Sequence, residues 1–260
     1  MKLSIITVNL NNAAGLEKTA ESIVSQTFND FEWIVIDGGS TDGSKELIEQ
    51  YSDYIAYWVS EKDSGIYNAM NKGVRHANGE YVQFLNSGDL LSDSSLLERI
   101  APELNGDDVL YGNFYQVFLS GKKQKRKTPC SLRAADFVYS SIGHSSSFIR
   151  RILLQESPYN EQLRIVSDWE FFVKMFWNNK SFRHINEYVS IFDASGISSS
   201  NLKLLQSERE SVLKCYISDK VIQDYYEGRI AQLISLRTQY PLYGKLITAS
   251  ICLMEKLRML

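Results

Sequence analysis

Short apolar runs alternate with amphipathic stretches over the first third of the chain. The runs are rich in β-branched and aromatic residues, which is typical of buried strands, and they cover residues 3–8, 31–36, 55–60 and 81–85. Between them apolar residues recur at helical spacing, which predicts helices over 13–26, over 44–51 and in the stretch that opens at 63–73. This order of elements is typical of a doubly wound parallel sheet with right-handed crossovers.

Polar loops follow three of the predicted strands. Asn9 begins the first loop, Asp37 begins the second, and the third reads Asn-Ser-Gly-Asp over residues 86–89. The carboxyl ends of parallel strands lie at one edge of a sheet, where ligands bind, so we expect these loops to surround one crevice. The residues expected around it are Thr7, Asn9, Asp37 and Asp89.

The two aspartates of these loops suit different chemistry. Asp89 stands on a turn that Gly88 lets fold tightly, and a lone carboxylate suits a hard divalent cation that keeps positions for water and phosphate oxygens. Asp37 can accept hydrogen bonds from a base N–H group or a ribose hydroxyl. Both lie among the usual turn residues, so a role in the turn alone stays an alternative for each.

The second half of the chain contains further strand and helix patterns. Residues 109–118 and 188–192 predict strands, and residues 165–176 predict a helix with an apolar face. Asp168 lies at the start of that helix, where an aspartate is commonly a cap worth about 1 kcal/mol. From residue 201 the pattern is helical, which predicts a C-terminal extension. Its last helix has an apolar face beside basic residues, so contact with a membrane surface, a homodimer and packing on the preceding domain all remain open.

A short basic run occupies residues 122–127, Lys-Lys-Gln-Lys-Arg-Lys. It is typical of a solvated hairpin tip. The alternative is attraction to anionic lipid headgroups, which contributes about 1 kcal/mol per basic residue near the surface.

Composition limits the class of protein. With 260 residues, 44% of them apolar and 23% charged, the chain is expected to form one soluble domain with an appendage. A net charge of −3 gives no support for nucleic acid as a partner. Three widely separated cysteines indicate a reducing compartment. No apolar run reaches the roughly 18 to 20 residues that span a bilayer, and no signal peptide is apparent, so a cytoplasmic location is expected, with membrane contact only at the protein surface.

Three segments together resemble the family 2 glycosyltransferases, which are inverting enzymes with the GT-A fold, a Rossmann-like α/β architecture. They are Ser-Ile-Ile-Thr-Val-Asn at 4–9, the stretch 25–43, and Phe-Leu-Asn-Ser-Gly-Asp at 84–89. The segment 63–73 resembles the bacterial exopolysaccharide and O-antigen branch of the family. The resemblance covers residues 1–200 and implies a catalytic GT-A domain there, followed by the helical extension 201–260.

The resemblance also implies a role for particular residues. Asp89 would be the Mn²⁺ or Mg²⁺ ligand, although Asn86 replaces the first aspartate of the family's metal motif, which leaves the metal undecided. Asp168 matches the family's catalytic base, with Glu170 the weaker candidate. The residues expected to hold or lie near the nucleotide-sugar donor are Thr7, Asn9, Asp37, Asp63, Lys72, Asn86 and Ser87. Those expected near the diphosphate or the acceptor are His144, Gly196 and Ser198.

Roles outside the proposed site remain open for several of these residues. Lys72 is also typical of a solvated helix lysine, and His144 of a structural histidine. The Gly-Ser loop around Gly196 could close over the diphosphate or simply link to the helical tail.

The implied reaction is metal-dependent inverting transfer from a UDP-, GDP- or dTDP-linked sugar to a hydroxyl of a glycan acceptor. The acceptor would be lipid-linked, in bacterial surface polysaccharide synthesis on the inner face of the membrane. Two alternatives remain. A non-catalytic sugar-nucleotide-binding assembly subunit is favoured only by Asn86. A nucleotidyltransferase would need a Gly-rich basic signature after the first strand to bind a triphosphate, and Asn-Leu-Asn-Asn at 9–12 is not such a signature. The glycine-rich turns match neither the dinucleotide-binding fingerprint nor a P-loop.

Overall fold

The computed structural model describes residues 1–118, 120–139, 141–193 and 201–216. Contacts within the chain divide it into two units, Met1–Glu208 and Arg209–Leu260. Of the second unit, the structure describes Arg209 to Tyr216, which are helical. The predicted domain boundary at residue 200 stays a prediction.

The described residues alternate strands and helices. The strands are β1 (Leu3–Asn9), β2 (Phe31–Asp37), β3 (Tyr57–Ser60), β4 (Tyr81–Phe84), β5 (Leu90–Leu91), β6 (Val109–Val117), β7 (Lys123–Arg126), β8 (Ser147–Arg150) and β9 (Phe182–Asp193). The helices are α1 (Ala13–Val24), α2 (Ser44–Gln50), α3 (Ile66–His76), α4 (Leu96–Ile100), α5 (Ala134–Tyr139), α6 (Arg151–Glu156), α7 (Ser167–Trp177) and α8 (Leu202–Tyr216). No helix within the described residues is both long and apolar enough to cross a membrane.

The strands form one mixed sheet in the order β3-β2-β1-β4-β8-β6-β9-β5, with β7 paired to β6. The half that the sequence predicted, β3-β2-β1-β4, is parallel throughout. Beyond it, β8 lies antiparallel between β4 and β6, and β9 then runs parallel to β6. The α/β class and the GT-A type of sheet are therefore confirmed.

The central strands are apolar because both faces of the sheet are covered. Every residue of β1 and β4 is buried. The largest fully buried side chains are Trp33, Tyr81, Tyr111, Phe84, Phe137, Phe148 and Phe172. This core holds the carboxyl ends of β1, β2 and β4 rigidly side by side, which places their polar loops together.

A glycine sets how closely α3 approaches the sheet. A Cβ atom added at Gly73 would collide with the Ile6 side chain of β1. The helix continues past this position to His76. Gly73 therefore serves close helix–sheet packing and is not the end of the helix.

Several elements lack a clear pattern in the sequence. The short elements β5, α4, α5 and α6 were not predicted, and β9 is longer than the predicted strand at 188–192. The basic run forms the exposed strand β7, hydrogen-bonded to β6. Asp168 is not the N-cap of its helix, because α7 begins at Ser167 and is capped by Val166 without a side-chain bond.

Candidate functional site

The three predicted loops meet at one edge of the sheet. Asn9 Nδ2 donates to Asp37 Oδ1 at 2.7 Å, which joins the ends of β1 and β2. Asn12 Nδ2 donates to the carbonyl oxygen of Ser87 at 3.0 Å, which joins the loop after β1 to the loop after β4. The structure thus brings Asn9, Asp37 and Ser87 together, as the sequence predicted.

Asp37 is enclosed by donors of its own protein. Its two oxygens accept hydrogen bonds from Asn9, from the Ser60 hydroxyl at 2.6 Å, and from the Ser40 hydroxyl and N–H at 2.5 and 2.9 Å. Burial raises the pKa of Asp37, but the bonds from Ser40, Ser60 and Asn9 outweigh it, so the net pKa is lowered. An ionised carboxylate therefore holds the turn after β2 in shape.

Asp89 lies on a tight turn after β4. Gly88 has φ +103, a conformation that favours glycine, and its N–H donates to the Thr19 hydroxyl of α1 at 3.0 Å. Asp89 is 5% exposed, and burial raises its pKa to about 6 although His144 and the Asp193 N–H act in the opposite direction. The structure confines this negative charge without fully neutralising it.

His144 lies between two carboxylates that are far apart in sequence. Its Nδ1 is 3.1 Å from Asp168 Oδ2, and its Nε2 is 3.8 Å from Asp89 Oδ2. Burial lowers the pKa of His144, but its hydrogen bond to Asp168 and the charges of Asp168 and Asp89 outweigh this, so the net pKa is raised. Nε2 also lies 3.3 Å from Asn86 Nδ2, so Asn86 faces the same ring.

Asp168 has a second donor on its other oxygen. The Tyr67 hydroxyl donates to Asp168 Oδ1 at 3.0 Å. Burial raises the pKa of Asp168, but the hydrogen bonds from His144 and Tyr67 prevail and the net pKa is lowered. The pKa of Tyr67 is raised by burial and by the charge of Asp168, so the tyrosine keeps its proton. The arrangement holds Asp168 ionised and fixed in orientation.

Helix α3 also anchors the loop that precedes α7. Asn71 Nδ2 donates to the carbonyl oxygen of Tyr159 at 2.9 Å, and Asn71 Oδ1 accepts the Tyr159 N–H at 3.0 Å. Asn68 and Asn71 both donate to Glu161. Next along the loop, the Asn160 N–H donates to Ser167 Oγ at 2.6 Å. The stretch 63–73 thereby positions Asp168 through both Tyr67 and this loop.

Asp63 and Lys72 form an ion pair outside this cluster. Lys72 Nζ lies 2.5 Å from Asp63 Oδ1 and 2.6 Å from Glu61 Oε1. These two carboxylates engage the ammonium group, so Lys72 is not a merely solvated lysine. A Cβ atom added at Gly38 would lie 3.6 Å from Asp63 Oδ2, which places Asp63 beside the turn after β2.

Of the remaining predicted site residues, the structure describes Thr7 alone. Thr7 is fully buried, and its hydroxyl accepts the Trp33 indole N–H at 2.9 Å, so its side chain belongs to the core. Gly196 and Ser198, predicted to lie in a loop over the diphosphate, fall outside the described residues.

Three residues of the cluster were missed from sequence. Tyr67 lies inside the quoted stretch 63–73, but nothing in the sequence linked it to Asp168. Asp193 ends β9, and its N–H donates to Asp89 Oδ1 at 3.1 Å. The Tyr159 hydroxyl is buried without a hydrogen-bond partner among the described residues, and its pKa is raised well above the usual value by burial and by Asp168.

Oxygen atoms suited to a divalent cation are present on the turn after β4. Asp89 offers a buried carboxylate. Asn86 Oδ1 is buried and has no hydrogen-bond partner within the described part of the chain. Such hard oxygens fit Mg²⁺ or Mn²⁺, which take one or two protein ligands together with phosphate oxygens and water. Among the described residues, no three His, Cys, Asp or Glu side chains are grouped so as to hold a metal ion.

Comparison with known proteins agrees with this architecture. The sequence model of Glycosyl transferase family 2 matches residues 4–177. A PGL/p-HBAD biosynthesis glycosyltransferase of Mycobacterium tuberculosis is 33% identical over 182 residues, which cover 67% of this chain and 70% of the relative.

Two solved structures share the fold. S. aureus TarS 1-349 in complex with UDP-GlcNAc superposes with a TM-score of 0.67 at 21% identity, covering 83% of this chain and 65% of TarS 1-349. The mannosyltransferase PcManGT from Pyrobaculum calidifontis, in complex with GDP-Man and Mn²⁺, gives a TM-score of 0.60 at 17% identity, covering 79% of this chain and 61% of PcManGT. The family match over most of the catalytic unit and the 33% identical relative lead to one conclusion: this chain belongs to glycosyltransferase family 2.

Proposed function

We propose that the chain is an inverting, metal-dependent glycosyltransferase that moves a sugar from a nucleotide-sugar donor to a hydroxyl of a lipid-linked glycan acceptor. The observation that supports this most directly is the line Asp168–His144–Asp89. It joins the proposed base to the proposed metal ligand, although the two aspartates belong to distant parts of the sequence.

Asp168 acts as the general base in this proposal. An alcohol is a weak nucleophile at neutral pH, so its proton must be removed as the glycosidic bond forms. The lowered pKa of Asp168 keeps the carboxylate ionised and ready to take that proton. Attack from the face opposite the leaving diphosphate inverts the anomeric configuration, and no second carboxylate nucleophile is required.

The turn after β4 would serve the leaving group. Asp89 and Asn86 would hold the divalent cation, which when bound neutralises the negative charge that develops on the diphosphate. His144 orients Asp168 and lies beside Asp89, on the diphosphate side of the base. Gly196 and Ser198 remain predictions for a loop over the diphosphate.

Asn9, Asp37 and Asp63 would hold the nucleoside. Carboxylates accept hydrogen bonds from the ring N–H groups of uracil, thymine and guanine, so a UDP-, dTDP- or GDP-linked sugar is proposed. The ligands of the two solved relatives, UDP-GlcNAc and GDP-Man with Mn²⁺, are consistent with this class of donor and with a cation. Lys72 contributes by setting the charge around Asp63.

The experiment that tests this proposal separates nucleotide binding from transfer. The Asp168→Asn variant keeps the size of the side chain but cannot take a proton. We expect its thermal stabilisation by nucleoside diphosphate and Mn²⁺ to match that of the native protein. The rate of sugar transfer should fall by about 10²–10⁴-fold, which is typical for loss of a general base.

Glu170→Gln is the matched control, because Glu170 lies on the same helix turn and is not bonded to His144 or Tyr67. It should retain transfer. If Asp168→Asn transferred sugar at the native rate, Asp168 would not be the base. If nucleotide sugar bound to the native protein and no transfer could be measured, a role as a sugar-nucleotide-binding assembly subunit would replace the proposal.

A further inference from the structure

The hairpin of β6 and β7 carries a concentrated positive charge. We call residues 122–127 the basic hairpin, and five of these six residues are Lys or Arg. No Asp or Glu occurs between Asp108 and Asp136, whereas the whole chain has a net charge of −3. The positive charge is therefore a local feature of this hairpin.

These basic side chains are available to a partner. All six residues of the basic hairpin are exposed. None of its five cations forms an ion pair within the part of the chain that the structure describes, whereas nearby Arg133 pairs with Asp136. Among the described residues no carboxylate neutralises their charge, so an anionic surface could meet it directly.

Two tyrosines hold part of this charge in place. Lys123 Nζ lies 4.1 Å from the centre of the Tyr115 ring, and Lys125 Nζ lies 5.4 Å from that of Tyr188. The two rings stack with centroids 4.6 Å apart. Cation–π contacts of this kind restrict the lysine side chains before binding, so less conformational entropy is lost when they meet a ligand.

The basic hairpin adjoins the candidate site through the sheet. Lys123 pairs with Val117 of β6, and Val117 pairs with Asp193 of β9. The Asp193 N–H donates to Asp89. Neighbouring strands are about 4.8 Å apart, so the first residue of β7 lies about 10 Å from the end of β9. A surface bound to the hairpin would lie close to the proposed metal ligand.

Lysines on an edge strand also prevent unwanted sheet pairing. That role needs charge on β7 itself and does not explain Lys122 and Lys127, which flank the strand. We propose that the basic hairpin binds the phosphate headgroups of an anionic lipid membrane and thereby holds the candidate site close to the membrane surface. The biological purpose rests on the proposed lipid-linked acceptor, but the membrane contact can be measured without any sugar transfer.

The test is co-sedimentation of the full-length protein with lipid vesicles at low ionic strength. One set of vesicles contains phosphatidylcholine alone, and the other contains phosphatidylcholine and phosphatidylglycerol in equal parts. We expect binding only to the anionic set. The triple variant Lys122→Gln, Lys125→Gln, Lys127→Gln should bind about a hundredfold more weakly. The loss of each basic residue weakens binding by about fivefold, and the three losses multiply.

Two control variants make this result specific. Lys18→Gln, Lys45→Gln, Lys203→Gln removes the same charge from exposed positions elsewhere and should bind like the native protein. Lys122→Arg, Lys125→Arg, Lys127→Arg should also bind, because the charge is kept. Equal losses in both glutamine variants, or equal binding to both kinds of vesicle, would overturn the proposal, as would binding to single-stranded DNA without binding to vesicles. Thermal stabilisation by nucleotide should be the same in all variants, which keeps this test separate from that of the proposed transfer.

Discussion

At the scale of single residues, the charge of Asp168 is maintained by two donors from different parts of the chain. Tyr67 and His144 each bond one of its oxygens. A hydrogen bond to the ionised form lowers the pKa of an acid, whereas burial raises it. The same burial acts on Asp89 with fewer compensating bonds, and its pKa rises to about 6. Two buried carboxylates next to one histidine therefore differ in their affinity for protons.

Tyr67→Phe should disturb the base without removing it. Loss of the bond to Oδ1 removes about 1.5–3 kcal/mol of stabilisation from the ionised form, so the pKa of Asp168 should rise. A base with a higher pKa loses its proton only at higher pH, so the acid limb of the transfer rate should move to higher pH. The measurement is the pH profile of kcat/KM, with the affinity for nucleotide unchanged.

Tyr111→Phe is the control for this variant. Tyr111 is also fully buried, and its hydroxyl donates to the carbonyl oxygen of Pro129 at 2.8 Å. Its loss should lower stability and leave the pH profile in place. A profile of Tyr67→Phe that matched the native one would show that the tyrosine does not act on Asp168.

At the scale of elements, the contacts between α3 and the sheet depend on a missing side chain. Gly73→Ala places a Cβ atom against Ile6, and overpacking of this kind costs about 1–3 kcal/mol. In an Ile6→Ala background the clash is absent, and the better helix propensity of alanine should then stabilise α3 by up to about 1 kcal/mol. The native protein, the two single variants and the double variant form the cycle to be measured by denaturant unfolding. Gly73→Ala should lower the free energy of unfolding in the native background and raise it in the Ile6→Ala background. Simple additivity would contradict the proposed contact.

A buried glutamate joins three elements at the opposite end of the sheet. Glu32 of β2 accepts bonds from the Ser4 hydroxyl of β1 at 2.6 Å and from the N–H groups of Asn78 and Gly79, just before β4, at 2.5 and 3.2 Å. Burial raises the pKa of Glu32, but the bonds from Ser4, Asn78 and Gly79 outweigh it and the net pKa is lowered. The ionised carboxylate therefore links the strands β1, β2 and β4.

The pH dependence of stability follows from this lowered pKa. The native state binds the proton of Glu32 less readily than the unfolded chain, so the stabilisation is complete above the unfolded pKa of about 4.3. It is lost as the pH falls through the lower native pKa. Glu32→Gln should be less stable at neutral pH, and its free energy of unfolding should fall less steeply below about pH 4.3. Parallel pH curves for the two proteins, measured by urea unfolding, would argue against this role.

At the scale of the whole molecule, binding of donor and cation should stabilise the fold together. A ligand that binds only the native state adds about 2.7 kcal/mol at 100 times its dissociation constant. Of UDP, GDP, dTDP and CMP, we expect one nucleotide other than CMP to raise the melting temperature, and to do so more with Mn²⁺. In the Asp89→Asn variant, the additional rise in melting temperature that depends on Mn²⁺ should disappear.

The ligand-free stability of Asp89→Asn provides the internal control. Burial of the Asp89 charge is costly, as its raised pKa shows, so the variant should melt no earlier than the native protein. A variant that unfolds early would indicate a structural aspartate. A native protein stabilised equally with and without Mn²⁺ would contradict the role of Asp89 as a metal ligand.

Local patterns in the sequence determined a large part of the fold and of the candidate site. The apolar runs predicted β1, β2, β3 and β4, and the polar residues that follow them predicted the shared crevice, because strand period and turn chemistry are encoded within a few neighbouring residues. The contact between Asn9 and Asp37 follows from their places at the ends of adjacent parallel strands. The family motifs predicted the α/β class for the same reason.

Only the tertiary structure decided which distant residues meet. The antiparallel insertion of β8 brings His144 next to Asp89 and Asp168, and periodicity carries no information about such long-range pairing. Tyr67 reaches Asp168 only because α3 packs close to β1, and Thr7 turns into the core because its hydroxyl meets Trp33. The identity of the charged residues was local information, whereas their partners, burial and pKa shifts arise from packing between elements.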